Sequence, residues 1–181
     1  MFLKISAEVR RHLQSFPIDD AILFKGDSFP IQTRHFELIP TQSPDTAIAF
    51  VDGGQGEILN GGNFSLHFIR VAGIVFKNNR KSKSILHEFY LLTTASLAGQ
   101  DVMYSGKVFP ILGASLLSEE ALKISSRDPS IRMGLEMASI SVMASMARRF
   151  AELRLASLLD AETVILDGTL EPTFRNEEAH L

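Results

Sequence analysis

The sequence predicts an α/β fold, on three observations. Two apolar runs of strand length each end in Asp-Gly: Ala47-Ile48-Ala49-Phe50-Val51-Asp52-Gly53-Gly54 and Val164-Ile165-Leu166-Asp167-Gly168-Thr169-Leu170. Ahead of the second run lies a stretch dominated by Ala, Met, Leu and Arg, residues that favour helix. Between the two, β-branched and aromatic residues are punctuated by glycine, as in successive strands. An Asp at the C-terminal exit of a strand projects into the crevice where α/β sheets place ligands, and a following Gly lets the backbone turn away without a Cβ clash. A single Asp-Gly is an ordinary turn. The same device twice points to one shared site.

The chain has 181 residues, 45% hydrophobic and 22% charged, enough to bury the core of one globular domain. Residues 1–45 read as an N-terminal helix and lead-in, and 46–181 as the core. The net charge of -3 gives no global signature of nucleic-acid binding, though local basic patches remain open. Cysteine is absent, so a metal would be held by oxygen or imidazole, which points to Mg²⁺ or Mn²⁺. Lys4, Glu8, Arg10, Arg11 and His12 interrupt any apolar signal at the N-terminus. The longest charge-poor run, 133–147, contains Glu136 and several serines and is too short and polar to span a bilayer. A soluble, cytoplasmic protein is expected.

Residues 2–14 carry Phe2, Ile5, Val9 and Leu13 at a helical period, which predicts an amphipathic helix. Prolines and Gly26 then break the chain, leaving short strands possible at 21–24 and 35–39. Strands are expected at 46–52, 64–71 and 73–77 in a meander, with Gly61-Gly62-Asn63 as a hairpin turn rather than a phosphate cradle. Asn78-Asn79-Arg80-Lys81-Ser82-Lys83 is a polar turn in which Arg80, Lys81 and Lys83 are the best local candidates for touching a nucleic-acid backbone, against the commoner reading of a solvated loop. Segments 87–98 and 101–111 predict a further hairpin or insertion. Asp128 suits an N-cap and Pro129 the first helical position, so a long helix is expected to run from there to about Leu159.

That helix offers two further carboxylates, Glu136 and Glu152. A strand of about five residues rises roughly 17 Å. Retracing that length takes about 11 helical residues, which from a helix end near Leu159 lands close to Arg148 and Glu152, whereas Glu136 overshoots by about 20 Å. Glu152 is therefore favoured as the third acid, with pairing to Arg148 or Arg149 on the helix surface as its ordinary reading. Glu136 stays open as a lone acid in an apolar segment, with Arg132 one turn back as a possible partner.

Val51-Asp52-Gly53-Gly54, the helical Arg149-Phe150-Ala151-Glu152 and Val164-Ile165-Leu166-Asp167-Gly168-Thr169-Leu170 together resemble the NurA nuclease family over residues 46–170. The resemblance implies an RNase H-like fold: a mixed sheet with a long helix before the second Asp-bearing strand. It also implies a Mn²⁺- or Mg²⁺-dependent deoxyribonuclease, single-strand endonuclease and 5'-3' exonuclease, acting in DNA end resection and double-strand break repair. A homodimer and partnership with a HerA-type hexameric helicase follow from the same resemblance. Carried over by motif, Asp52, Glu152 and Asp167 are metal-binding catalytic residues, with Glu136 the lesser alternative to Glu152. The first motif reads Asp-Gly-Gly where the family often has Asp-Gly-Ser. Family members also continue past the second motif into a half bearing further active-site residues. The chain thus reads as a short or C-terminally truncated member, with His180 in its terminal tail and its activity in isolation open.

Two other enzyme readings are weaker. Ile165-Leu166-Asp167-Gly168-Thr169-Leu170 is similar to the haloacid dehalogenase motif Asp-x-Asp-Gly-Thr-Leu, but the nucleophilic Asp would fall at Ile165, which cannot form an aspartyl-phosphate. A sugar-kinase-like ATPase would need a second phosphate loop that is not visible. The non-enzymatic alternative is a dimerising adaptor, or a fragment, that docks on a HerA-type helicase.

Overall fold

A computed structural model describes Ala7, Arg10, Arg11, Gln14 and residues 21–25, 27–36, 46–132, 134, 136–169 and 171–177. The chain divides into two compact units, Met1–Gln42 and Ser43–Leu181. In the first, Ala7, Arg10, Arg11 and Gln14 are helical, as expected; Phe2, Ile5, Val9 and Leu13 lie outside the described residues. Strands β1 (Ala21–Phe24) and β2 (Asp27–Pro30) pair antiparallel. The strand expected at 35–39 is not borne out at its start, where His35 closes a 3-10 turn, Thr33–His35; residues 37–39 lie outside the described residues.

The second unit is α/β, with a six-stranded mixed sheet and one helix among the described residues. Strands β3 (Ile48–Asn60), β4 (Phe64–Lys77), β5 (Arg80–Ala98) and β6 (Asp101–Leu112) form an antiparallel meander. The short β7 (Lys123–Ser125) pairs with β6, and β8 (Thr163–Leu166) pairs parallel with β3, giving the order β7-β6-β5-β4-β3-β8. The turn residues act as their chemistry requires. Gly62 takes φ +81 at the β3–β4 hairpin, and Asn78 and Asn79 sit at φ 53 and 57 between β4 and β5, a pair of left-handed positions that asparagine tolerates.

Helix α1 (Val142–Ser157) packs on one face of the sheet. Val51, Ile69, Val71 and Leu91 meet Met143, Ala147, Phe150 and Leu155 in one buried cluster. Gly73 lets the helix end approach, since a Cβ there would stand 3.2 Å from a Leu159 methyl. The opposite face follows the strand alternation: Phe50 pairs with Ile74 and Ile165, and Phe68 with Tyr90. Phe50, Tyr90, Phe109 and Ile165 on that face are exposed.

The long helix expected from Pro129 is corrected. The described residues between Asp128 and Ser141 show only turns, a bend and irregular backbone, and α1 begins only at Val142. Asp128 does cap a turn: its carboxylate accepts from the Ser130 amide at 3.0 Å and hydroxyl at 2.8 Å, and its carbonyl accepts from Ile131 and Arg132. Further on, the backbone of Ala138 is claimed by residues distant in sequence. The Ala138 amide bonds to the Ser126 carbonyl, the Tyr104 hydroxyl donates to the Ala138 carbonyl at 2.7 Å, and Gly134 takes φ +65. Helix propensity here yields to tertiary hydrogen bonds. Among the described residues, no helix is long and apolar enough to cross a membrane.

Candidate active site

Val51 and Leu166 are the last pair of the parallel β3–β8 ladder, so Asp52 and Asp167 each lie one residue beyond it, at the same level of two adjacent strands. Each is also two residues on from Phe50 or Ile165, which are register partners on the face away from α1. Successive side chains alternate across a strand, so the Asp52 carboxylate belongs to that outer face, while Asp167 lies in the bend that follows β8. Both are exposed. A pocket of about 370 Å³ is lined by Phe50, Asp52, Gly53, Gly54, Arg70 and Ala72, among others. A larger one, about 550 Å³, lies at the start of β3, lined by Ala47, Lys77, Lys83, Asp160 and Glu162 among others. We place the candidate site at the smaller one, because it holds Asp52.

The two Asp-Gly motifs prove physically different. At Gly168 the backbone does turn, with φ +100. At Gly53 it does not: β3 runs on through Gly53, Gly54 and Gly56 to Asn60, and the expected sharp turn after Asp52 is corrected. Gly53 is required for space. A Cβ there would stand 2.6 Å from Glu152 Oε1 and 3.1 Å from Arg148 Cγ.

Glu152 thus reaches β3 from the α1 side, next to Asp52, as the helix-rise argument expects. It is 5% exposed, which corrects the surface-charge reading, but its partner is the expected Arg148, whose Nη1 donates to Oε1 at 2.6 Å and to the Gly53 carbonyl at 3.1 Å. Burial pushes the Glu152 carboxyl above its ordinary range; Arg148 and Arg149 oppose this, and the nearby charge of Asp52 adds to it. Glu136 is exposed and outside the helix.

Arg149 makes a second set of contacts that the sequence did not reveal. Its Nη2 donates to the Thr169 carbonyl at 2.6 Å and its Nε to Glu177 Oε1 at 3.0 Å. Burial pushes the Glu177 carboxyl up, but hydrogen bonds from the Phe174 and Thr173 amides and from Arg149 outweigh it and hold the group below its usual range. Nothing in the polar stretch around Glu177 marks it as a buried residue. Arg70 was also missed, although a lone cation in the apolar run of β4 was a usable signal; it pairs with Glu88 at 2.7 Å through Nε and borders the pocket beside Asp52. Arg80, Lys81 and Lys83 are exposed at the start of β5.

Asp52 and Asp167, oxygen donors one residue past the end of the β3–β8 ladder, suit a hard divalent ion in their chemistry. Glu152 contributes its charge from the other side of β3. Among the described residues, no three His, Asp or Glu side chains are gathered as a set that could hold a metal. No protein-family model, curated protein or solved structure matches the chain.

Proposed function

We propose that the chain is a metal-dependent DNA nuclease of the NurA kind, with Asp52 and Asp167 as the acids that hold Mn²⁺ or Mg²⁺ and Glu152 as the third acid of the site. The observation that carries this reading is the common level at which Asp52 and Asp167 lie just past the β3–β8 ladder, with Glu152 seated against Gly53 on the α1 side of β3. The sheet supports the RNase H-like expectation in outline, since it is mixed and a helix directly precedes the second Asp-bearing strand. When bound, such an ion supplies Lewis acidity at a scissile phosphate and a more acidic water. The chain's own part is to hold Asp52 within β3 and Asp167 just past the end of β8, and to bring the Arg70 cation to the pocket edge, where a phosphodiester would lie. DNA end resection, a HerA-type helicase partner and a homodimer belong to this proposal through the resemblance.

The non-catalytic alternative, an adaptor docking on such a helicase, draws on two observations: the three acids do not gather into a set, and Glu152 is engaged by Arg148. The deciding experiment is Mn²⁺-dependent cleavage of end-labelled single- and double-stranded DNA by the full chain, beside Asp52→Ala and Asp167→Ala. Cleavage abolished by both substitutions supports the nuclease. An inactive wild type whose melting temperature is unmoved by Mn²⁺ favours the adaptor.

A further inference from the structure

We propose that Arg149 is a positioning residue that fixes the turn carrying Asp167, and through it the placement of Asp167 beside Asp52. Its functional meaning rests on the metal-site reading above, whereas its physical content rests on contacts within the chain. Arg149 is 9% exposed and Glu177 is 2% exposed. One guanidinium ties three segments together: the helix it belongs to, the Thr169 carbonyl at 2.6 Å, and Glu177 Oε1 at 3.0 Å. Glu177 in turn folds the segment before it, its Oε2 accepting from the Thr173 amide at 2.8 Å and the Phe174 amide at 3.0 Å.

Asp167 lies between two fixed points. On one side, Leu166 is held in the ladder opposite Val51; on the other, Thr169 is held by Arg149, and Gly168 at φ +100 makes the bend between them. With the Arg149 contact removed, the described residues leave the bend held from the ladder side and by the local bond from the Glu171 amide to Thr169 Oγ1.

Stability alone does not require this device. Phe150 and Phe174 already pack edge to face beside it, with ring centroids 6.3 Å apart. A buried ion pair is often no more stabilising than an apolar pair of the same volume. What an apolar pair cannot do is hold a carbonyl and a carboxylate at once, and the planar fork of arginine does both. Partners that hold a ligand's surroundings typically change metal affinity by roughly 10- to 100-fold when removed.

The test uses the full chain as wild type, Arg149→Gln, Arg149→Lys, Glu177→Gln and Phe174→Ala. The last loosens the same segment by packing while leaving every hydrogen bond of Arg149 in place. Mn²⁺ affinity is read by titration, and the order of the Gly168 amide by nitrogen-15 relaxation in metal-free protein. Arg149→Gln is expected to weaken Mn²⁺ binding by at least roughly ten-fold and to mobilise Gly168, with Arg149→Lys intermediate and Phe174→Ala close to wild type in both. The proposal is overturned if Arg149→Gln leaves both readouts unchanged, or if Phe174→Ala moves them as far. If Arg149→Gln does not fold, Arg149→Lys and Glu177→Gln decide by the same two readouts. A wild type that takes up no Mn²⁺ defeats the metal reading by itself. The Gly168 amide then decides alone: mobilised by Arg149→Gln and not by Phe174→Ala, the positioning role stands; otherwise it falls.

Discussion

Glu152 reaches strand β3 only because residue 53 has no side chain: a Cβ on Gly53 would lie 2.6 Å from Glu152 Oε1. Gly54, the next residue, has nothing within 4 Å of the same position. Neither has positive φ. The two therefore separate space from backbone freedom. Gly54→Ala is expected to be neutral or to stabilise by up to about 1 kcal/mol, through loss of chain entropy in the unfolded state. Gly53→Ala is expected to destabilise by about 1–3 kcal/mol, because a buried carboxylate and its arginine must move. Urea denaturation at neutral pH distinguishes them; equal midpoints would mean that Glu152 does not depend on that space.

Gly168 should behave differently again. Its φ of +100 is costly for a residue with a Cβ, yet no atom lies within 4 Å of where that Cβ would stand. Gly168→Ala is expected to cost about 1–2 kcal/mol through strain alone. Gly168→Asn should recover part of this, since asparagine tolerates left-handed backbone better than alanine does. At Gly53 the order reverses, the larger Asn being worse than Ala. Melting curves of the four variants test the contrast; the same rank at both sites would refute it.

These glycines mark where sequence reading reached and where it stopped. The presence of strands was legible because one face is buried, so that Ile69, Val71 and Leu91 declare themselves by alternation, but their bounds were not: 64–71 and 73–77 are one strand, β3 runs on to Asn60 and β5 begins at Arg80. The hairpins were legible because Gly62, Asn78 and Asn79 are turn residues doing what turns need. Asp167 was legible as a strand exit, since the apolar run before it is β8, whereas Asp52 was read as an exit and lies within β3, which runs on to Asn60. The reason for Gly53 was not: a close approach by a residue from α1 leaves no local trace. Residues 128–141 misled because Asp128-Pro129 does start a turn, while Tyr104 and Ser126, distant in sequence, claim the Ala138 backbone. Glu177 was invisible because burial by a partner in another element is not encoded nearby.

The Arg148 and Glu152 contact should behave as a coupled unit. Arg148 is about one third exposed in its side chain and Glu152 only 6%, so removing the arginine strands a charge that water cannot reach well. Arg148→Met is expected to cost about 1–3 kcal/mol at neutral pH. In an Arg148→Met, Glu152→Gln double-mutant cycle, the arginine should cost less once the carboxylate is gone, with a coupling of about 0.5–3 kcal/mol. A coupling near zero would make the pair an incidental contact.

Glu152 and Glu177 sit on the same side of the sheet, yet their effects on stability should run oppositely with pH. Burial raises Glu152 above 4.5, so the folded state binds more protons than the unfolded one once pH exceeds that value. Stability attributable to Glu152 is then present below 4.5 and is lost as pH rises through its folded pKa. Glu177 is also buried, but the Phe174 and Thr173 amides and Arg149 hold it below 4.5. Its contribution is present above 4.5 and is lost as pH falls through its folded pKa. The stability of wild type minus Glu152→Gln should therefore fall as pH climbs past 4.5, and that of wild type minus Glu177→Gln should fall on acidification below it. Asp128, whose hydrogen bonds from Ser130 and Arg175 overcome its burial, slopes in the same sense as Glu177 but is common to all three proteins and cancels. Urea titrations from about pH 3 to about pH 7 supply both differences. If the two slopes share a sign, the contrast between an acid raised by burial and one whose burial is outweighed by two amides and Arg149 is not what sets their protonation.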